Sequence, residues 1–364
     1  MKKLFYLSFI VLLSSCSSKN EDSIITVSFP AEGTEFISWF DRFPDMEMIC
    51  LTGENLPMLT FFSDLVVHDN MYYVIDKVHT QQVHSFDQDG KYFSSVGSFG
   101  RGPNEYLDIA DVLIDDNGNI SIFSQKVNTL FTHSPDGVLL EKRKLPYPTE
   151  RFISHNGLNY HYIGIASKLD YLLYVTNDNG EVVGEYLPTP LAPTLGSLHR
   201  FSIDGDKLLL CPTEGNDIYL LQDGKIETKY RFDFGEYNIP EEYYECANLA
   251  SMLAVLEGRS IVYKNDLGEN RDCFVLMLGH FKNLDMTNFY GVWDKRKDQW
   301  KWYNHSEDDF VFFKCFDDEY AYFTADPAAM KEIPELVNRF PSLNTLTDED
   351  GVVIIKAKTK RITL

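Results

Sequence analysis

Asx-Gly turns recur at nearly equal intervals along this 364-residue chain. The glycines of FDQDGKY, SPDGVL, NDNGEV and LQDGKI stand at positions 90, 137, 180 and 224, so the intervals are 47, 43 and 44 residues. Each interval holds four short alternating or apolar runs, and the last repeat of the chain lacks its outer run. These observations predict an all-β fold, a six-bladed β-propeller of four-stranded blades, because four strands in about 40–50 residues are typical of a propeller blade.

Within a blade, the sequence predicts strands A, B, C and D in chain order. In blade 1 these strands cover residues 62–67, 72–76, 82–86 and 92–96. A second series of turns lies between strands A and B, at Asn70, Gly118, Gly157 and Gly205. Glycine and asparagine tolerate the positive φ that hairpin turns require, which explains both series. Blades 1 to 4 are expected to end near Val96, Leu145, Leu187 and Phe234.

The last two blades depart from this regularity. Blade 5 is predicted at residues 260–263, 273–278, 289–293 and 299–303, and blade 6 offers only three strands, at 310–316, 320–323 and 352–357. The early apolar run Met46–Leu51 has no blade of its own. We expect this N-terminal strand to complete blade 6 and close the ring, since a closed ring leaves no open sheet edge at the chain ends.

Two segments are predicted to be helical insertions. Pro240–Gly258 begins with proline and acidic residues and ends in glycine, and Asp326–Phe340 is expected to break or kink at Pro334. The first insertion follows a D strand and the second follows a B strand. In a four-stranded meander, the D–A and B–C connections emerge on one face, here called the loop face. The opposite face carries only tight turns, so the loop face is the functional candidate.

The N-terminus predicts export and lipid anchoring. MKKLFYLSFIVLLSSC combines two lysines, an apolar run at 4–13 and small residues before Cys16, which resembles a bacterial lipoprotein signal. We therefore predict a signal peptide at 1–15, lipidation (palmitate) at Cys16, a tether over 16–40 and a single propeller domain over 41–364. No aspartate follows Cys16, so an outer-membrane lipoprotein is expected, facing either side. The alternative is an ordinary secretory signal with a chance cysteine.

Charge and cysteine content restrict the class of partner. The net charge of −22 repels phosphate backbones, so nucleic-acid binding is not expected. Five cysteines follow Cys16, at 50, 211, 246, 273 and 315, without any CxxC pair. Buried free thiols are favoured over a zinc site, and one disulfide stays open. The Asp-rich turns lack the glutamate of a calcium loop, and no motif indicates a metal or another cofactor.

The segment GSFGRGPNEY, residues 97–106, invites comparison with a phosphate-binding loop. Its glycine spacing is GxxGxG, a proline follows, and the next segment is a strand, so it fits neither a dinucleotide fingerprint nor a P-loop. The glycines instead predict a sharp return from the outer strand of blade 1 to the channel. This return brings Arg101, Glu105 and Tyr106 toward the channel mouth, where they either hold the turn or contact a ligand.

GSFGRGPNEY, with SFDQDGKYFSSVG before it and DIADVLIDDNGNISIF after it, resembles a "GxGPxEY" connection in six-bladed β-propeller lipoproteins of anaerobic gut bacteria. The resemblance covers residues 46–358 by pattern and is specific over 60–140. It implies an NHL-like propeller on the outer membrane or in the periplasm, and it implies no catalytic residues.

Further candidate ligand contacts lie in the B–C connections of the loop face. They are His79, Lys126, Lys168, Glu214 and Asn216, for which solvated surface is the alternative. Trp300 and Trp302 alternate onto one side of a strand, where they either stack on sugar rings or pack between blades.

The leading hypothesis is a non-enzymatic propeller that binds a glycan, a peptide or an outer-membrane protein at its loop face. The alternative is a metal-dependent lyase or hydrolase at the channel mouth, which would need several carboxylates or histidines around one point. A third class, a scaffold subunit, would present a broad apolar patch.

Overall fold

The computed structural model describes residues 24–28, 35–36, 38–163, 169–190, 201–204, 206–212, 215–282, 285–305, 310–347 and 350–362. Their strands form six antiparallel sheets, the blades of a six-bladed propeller, which confirms the predicted fold. In each blade, strand A lies at the centre of the ring and strand D at its rim. Within these ranges, no helix is both long and apolar enough to cross a bilayer.

Blades 1 to 3 are uninterrupted four-stranded meanders. Blade 1 consists of Asp64–His68, Met71–Asp76, Gln82–Phe86 and Tyr92–Val96. Blade 2 consists of Asp111–Ile114, Ile120–Ser124, Thr129–His133 and Leu139–Lys144. Blade 3 consists of Thr149–His155, Leu158–Ile163, Tyr171–Asn177 and Val182–Pro188.

Blades 4 to 6 use the N-terminal segment as well. Blade 4 consists of Phe201–Asp204, Lys207–Leu210, Asp217–Gln222 and Lys225–Asp233. Blade 5 has the longest strands, Ser260–Glu269, Cys273–Lys282, Asp285–Asp294 and Gln299–His305. Blade 6 consists of Val311–Phe316, Tyr320–Ala325, Val353–Lys358 and the N-terminal strand Met46–Cys50. Residues 46–50 pair antiparallel with 353–357, which confirms the predicted closure.

The chain before Met46 follows the outer rim of the propeller. Ile25–Ser28 pairs in parallel with the outer strand of blade 4, and Glu35–Phe36 pairs in parallel with that of blade 5. A short helix, α1 (Trp39–Arg42), then leads to the outer strand of blade 6. Part of the segment expected to be a tether thus covers two sheet edges, while no described residues add a fifth strand to blades 1 to 3.

The hydrophobic core lies between neighbouring blades rather than inside one blade. Between blades 5 and 6, for example, Tyr290 and Phe323 pack around Phe43, which is fully buried. Trp39 of α1 contacts both rings, with centroids 4.7 Å from Tyr290 and 5.1 Å from Phe323. The N-terminal segment therefore belongs to the core of the ring and not only to its edge.

The helical insertions differ from the sequence prediction in one respect. Pro240–Gly258 is not one helix: a 3-10 turn, Glu241–Glu245, precedes α2 (Leu249–Leu256). Asn248 separates them because its extended backbone starts a new helix and its side chain accepts a hydrogen bond from the Ser251 N–H. The second insertion breaks as predicted, into α3 (Pro327–Lys331), α4 (Pro334–Arg339) and the 3-10 turn Pro341–Thr345.

The turn predictions are confirmed for the described residues, and the prediction of buried free thiols is confirmed for Cys211, Cys246 and Cys273, while Cys50 and Cys315 are partly buried. Gly90, Gly118, Gly137, Gly180 and Gly224 all adopt positive φ, as do Asp69, Asn70 and Gly157 in A–B turns. Gly205 lies outside the described residues. The cysteines at 50, 211, 246, 273 and 315 are free thiols.

Candidate functional site

The GSFGRGPNEY turn is held together by its own backbone. Tyr106 N–H donates to the Ser98 carbonyl and Gly100 N–H donates to the Tyr106 carbonyl, both at 3.0 Å. Glu105 Oε2 accepts a hydrogen bond of 2.6 Å from Gly102 N–H, and Glu105 N–H donates back to the Gly102 carbonyl at 3.2 Å. The segment is a compact loop with no helix after it, so it has no phosphate-binding geometry.

The glycines of this turn make room for its own side chains. Gly97 adopts φ +100°, and a Cβ there would overlap the Tyr106 hydroxyl and approach Ile122 Cδ1 to 2.7 Å. A Cβ at Gly100 would overlap the Glu105 carboxylate. The glycines, Glu105 and Tyr106 therefore act as one unit in which the carboxylate and the ring fill the space that the glycines leave.

The three residues predicted in this turn have different surroundings. Tyr106 is fully buried, its hydroxyl donates to the Gln81 carbonyl at 2.6 Å, and burial raises the pKa of its phenol. Glu105 is half-buried and holds Gly102. Arg101 is exposed and makes no hydrogen bond or ion pair with the described part of the chain. Of the three, only Arg101 presents a free functional group to solvent.

His79 and Lys126 lie on connections that touch this turn. Gln82 Nε2 donates to the Gly97 carbonyl at 2.9 Å, and Tyr106 reaches Gln81, so the B–C connection of blade 1 packs on residues 97–106. Lys126 Nζ donates to the Leu107 carbonyl at 3.3 Å. The structure thus brings His79, Arg101, Glu105, Tyr106 and Lys126 to one region, the loop face of blades 1 and 2.

Four exposed apolar side chains lie in the connections that lead into, through and out of blade 1, and the sequence analysis did not select them. Met58 and Phe62 precede strand A of blade 1, Val78 lies in its B–C connection, and Phe99 lies in the GSFGRGPNEY turn. Their exposed fractions are 69%, 63%, 68% and 48% in that order. We call these four residues the apolar blade 1 surface. Its only sequence signal is a large apolar residue inside a connection rather than in a strand.

Contacts between the connections keep this surface together. Lys77, next to Val78, forms an ion pair of 2.7 Å with Asp64 at the start of strand A, and its ammonium also donates to the Ala110 carbonyl at 3.0 Å. The Phe62 ring lies 5.3 Å from Phe312 of blade 6. The three connections that carry the apolar blade 1 surface are therefore joined by polar contacts beneath it.

Of the remaining predicted contacts, only Asn216 is among the described residues, and it does not join this region. Asn216 lies on blade 4, where its amide donates to Asn238 Oδ1 at 2.7 Å. Lys168 and Glu214 lie outside the described residues. The predicted contacts that come together on the loop face are therefore those of blades 1 and 2.

The two tryptophans pack between blades 4 and 5. Their rings stack on each other with centroids 5.4 Å apart, and Trp300 also stacks on Trp293 at 5.5 Å. Phe232 of blade 4 meets the Trp302 ring edge-on at 6.5 Å, and Trp302 is buried. Packing between blades, one of the two interpretations of this pair, accounts for Trp302 and for most of the Trp300 contacts. Sugar stacking at these residues remains a hypothesis that these contacts do not support.

Charged side chains near the start of the inner strands neutralise one another. Lys314 of blade 6 is deeply buried, so its pKa is lowered by burial, although Asp64 and Asp266 oppose that shift. Asp111 of blade 2 accepts a 2.8 Å hydrogen bond from Phe152 N–H and lies 3.8 Å from the Arg151 guanidinium. Among the described residues, no three His, Cys, Asp or Glu side chains are placed to hold a metal ion.

Comparison with known protein families identifies the family of this chain. The model of a domain of unknown function, DUF4934, matches residues 50–358, which is most of the chain. The chain belongs to the DUF4934 family. No curated protein matches the sequence.

Two solved structures similar to this DUF4934 protein come from Bacteroides species. A Bacteroides fragilis protein named "Putative exported protein" is 17% identical with a TM-score of 0.74, over 94% of this chain and 100% of that one. A DUF4221 family member from Bacteroides vulgatus is 11% identical with a TM-score of 0.54, over 86% and 98% of the two chains. At these identities the likeness shows the fold alone.

The DUF4934 match begins at Cys50, within the strand that closes blade 6. It therefore includes the GSFGRGPNEY turn and the apolar blade 1 surface, and it leaves out Ile25–Ser28, Glu35–Phe36 and α1. The family description assigns no activity to this domain.

Proposed function

We propose that this DUF4934 protein is a lipid-anchored, outer-membrane, non-enzymatic binding module that holds a protein or peptide partner at the loop face of blade 1. The observation that carries this proposal is the apolar blade 1 surface. Large apolar side chains that share one region of a rigid scaffold and stay exposed are typical of protein interaction sites. Residues 1–23 lie outside the described part of the chain, so the anchor rests on the Cys16 signal.

The chemistry of the surface favours a polypeptide over a glycan. Met58 and Val78 are aliphatic and offer no flat ring for a sugar, whereas they suit apolar side chains of a partner. The exposed Arg101 guanidinium, which has no partner among the described residues, stands in the same turn as Phe99 and suits a carboxylate of that partner. We therefore propose a segment that combines apolar residues with an acidic residue.

Peptide selection tests this proposal with a closely matched control. Peptides are selected by display against the soluble form that lacks residues 1–16, and their affinities are measured by titration. Phe62→Ser should weaken binding at least tenfold, because buried aromatic anchors carry most of the binding energy of an interface. Phe93→Ser is the control: Phe93 is 62% exposed, nearly as much as Phe62, but lies on the outer strand of blade 1.

Two results would oppose the proposal. Equal losses in Phe62→Ser and Phe93→Ser would show that the selected peptides bind elsewhere. If neutral glycans bind in a way that depends on Phe62, and no selected peptide does, the surface belongs to carbohydrate instead.

Arg101→Gln should weaken the binding of acidic peptides more than the binding of neutral ones, because only the acidic peptides lose a charge-assisted hydrogen bond.

A further inference from the structure

A cleft opens between blades 2 and 3, away from the apolar blade 1 surface. Its volume is about 250 Å³, and its walls are the end of the outer strand of blade 2, residues 143–146, and the middle strands and C–D turn of blade 3. It is smaller than the roughly 300–1,000 Å³ of pockets for drug-sized ligands, so it suits a compact molecule.

The cleft exists because the C–D turn of blade 3 does not pack against blade 2. At other junctions the glycine of the C–D turn packs on the preceding blade: a Cβ at Gly90 would overlap the Cys50 carbonyl, and one at Gly224 would lie 3.6 Å from Val183. A Cβ at Gly180, the corresponding glycine of blade 3, would meet nothing within 4 Å. Among the four described C–D turns that contain glycine, the gap therefore lies where blade 3 faces the end of blade 2.

Arg143 brings an uncompensated positive charge to this gap. It makes no hydrogen bond or ion pair with the described part of the chain, and its Nε is buried without a partner. Its guanidinium carbon lies 5.9 Å from the centre of the Phe152 ring. A buried donor without a partner is costly. The terminal guanidinium nitrogens are not buried in this way, so they are the atoms that a ligand acceptor in the cleft would contact.

The other residues that line the cleft indicate which charge and polarity would suit a ligand. His161 is held between the hydroxyls of Thr149 and Thr176, at 3.3 and 3.2 Å, and burial together with the Arg143 charge lowers its pKa to about 4, so it is neutral near pH 7. Lys144 adds one positive charge and Asp178 one negative charge to the lining. The cleft therefore carries a net charge of about +1, which suits a monoanion better than a phosphate dianion.

From this geometry we propose that the cleft binds a small polyhydroxylated carboxylate of the sugar-acid class. The Arg143 guanidinium would take the carboxylate, because its fork matches the two oxygens. The polar lining, which includes Thr176 and the exposed Asn179, would hydrogen-bond the hydroxyl groups. This site is separate from the apolar blade 1 surface and does not rest on its function.

Ligand-observed NMR on the soluble form lacking residues 1–16 tests the proposal. The probes are D-glucuronate and D-galacturonate, with D-glucose and D-galactose as neutral counterparts and D-glucose 6-phosphate as the phosphate arm. We expect saturation transfer to a uronate and not to the neutral sugars. Arg143→Gln should weaken uronate binding at least tenfold. Lys142→Gln is the matched control, because Lys142 neighbours Arg143 but lies outside the cleft, with its ammonium on the Pro103 carbonyl.

Several outcomes would overturn the proposal. The first is that no uronate binds the unmodified protein at about 10 millimolar ligand, roughly the weak limit of useful affinity. The second is that the neutral sugars bind as tightly as the uronates, and the third is that D-glucose 6-phosphate binds more tightly than they do. The fourth is that Arg143→Gln and Lys142→Gln have equal affinities for the uronates. Far-UV circular dichroism of both variants verifies that each is folded. A tenfold loss confined to Arg143→Gln would support it.

Discussion

Replacing Gly97 with alanine tests whether the GSFGRGPNEY turn is a structural unit. Two costs add at this position. An L-residue at positive φ costs about 1–2 kcal/mol, and the new Cβ would overlap the Tyr106 hydroxyl. Moving that buried hydroxyl breaks its 2.6 Å hydrogen bond to Gln81, worth roughly 1–3 kcal/mol when a buried donor is left unsatisfied. We expect Gly97→Ala to lower the free energy of unfolding by about 2–5 kcal/mol.

Gly157 provides the matched control for this substitution. It also adopts positive φ, +73°, but a Cβ there would meet nothing within 4 Å. Gly157→Ala should therefore cost only the backbone term, about 1–2 kcal/mol. Urea unfolding followed by circular dichroism gives both values, and the difference between the two variants measures the overlap of the new Cβ with Tyr106 and Ile122.

A double mutant identifies the partner of the overlap. Tyr106→Phe removes the hydroxyl, so Gly97→Ala should cost about 1 kcal/mol less in that background than in the native chain, because contacting residues are not additive. Equal losses in Gly97→Ala and Gly157→Ala, or strictly additive behaviour with Tyr106→Phe, would refute the interpretation that the glycine makes room for Tyr106.

Three further predictions concern the blades and the anchor. Glu269 is buried between Lys229 and Lys295, so Glu269→Gln should cost about 3 kcal/mol near pH 7 in urea unfolding. Burial raises the pKa of Glu269, but the two ammonium groups outweigh it and the pKa is lowered, so the stabilisation is present above the ordinary glutamate range and is lost as the pH falls through the lowered value. A difference between variant and native protein that does not shrink as the pH falls below the ordinary glutamate range would contradict this. Trp302→Ala should cost about 3–5 kcal/mol by the same measurement, and a loss below about 1 kcal/mol would show that the ring is not packed as described. Cys16→Ala should move the protein from the membrane to the soluble fraction of the cell envelope, whereas continued membrane association would argue against an acyl anchor at that residue.

The blade count and the closure of the ring could be predicted from the sequence because they rest on local rules. Asp-Gly and Asn-Gly favour hairpin turns between short strands, and the missing outer strand of blade 6 left Met46–Cys50 to supply it. The break at Pro334 is equally local, since proline cannot continue a helix. The division of Pro240–Gly258 was missed because it depends on the side-chain cap that Asn248 makes.

The candidate sites depended on tertiary structure. Tyr106 and Arg101 stand five positions apart in one motif, yet their surroundings differ. The Tyr106 ring is buried and its hydroxyl reaches the Gln81 carbonyl, whereas the Arg101 side chain is exposed. This difference depends on packing against blade 2. Gly90 and Gly180 belong to the same kind of turn, but only Gly90 meets the preceding blade. Backbone conformation is set by neighbours in the chain, so the sequence alone determined the repeat and its turns. Exposure and gaps are set by residues from other blades, so only the folded ring decided where a partner or ligand has room.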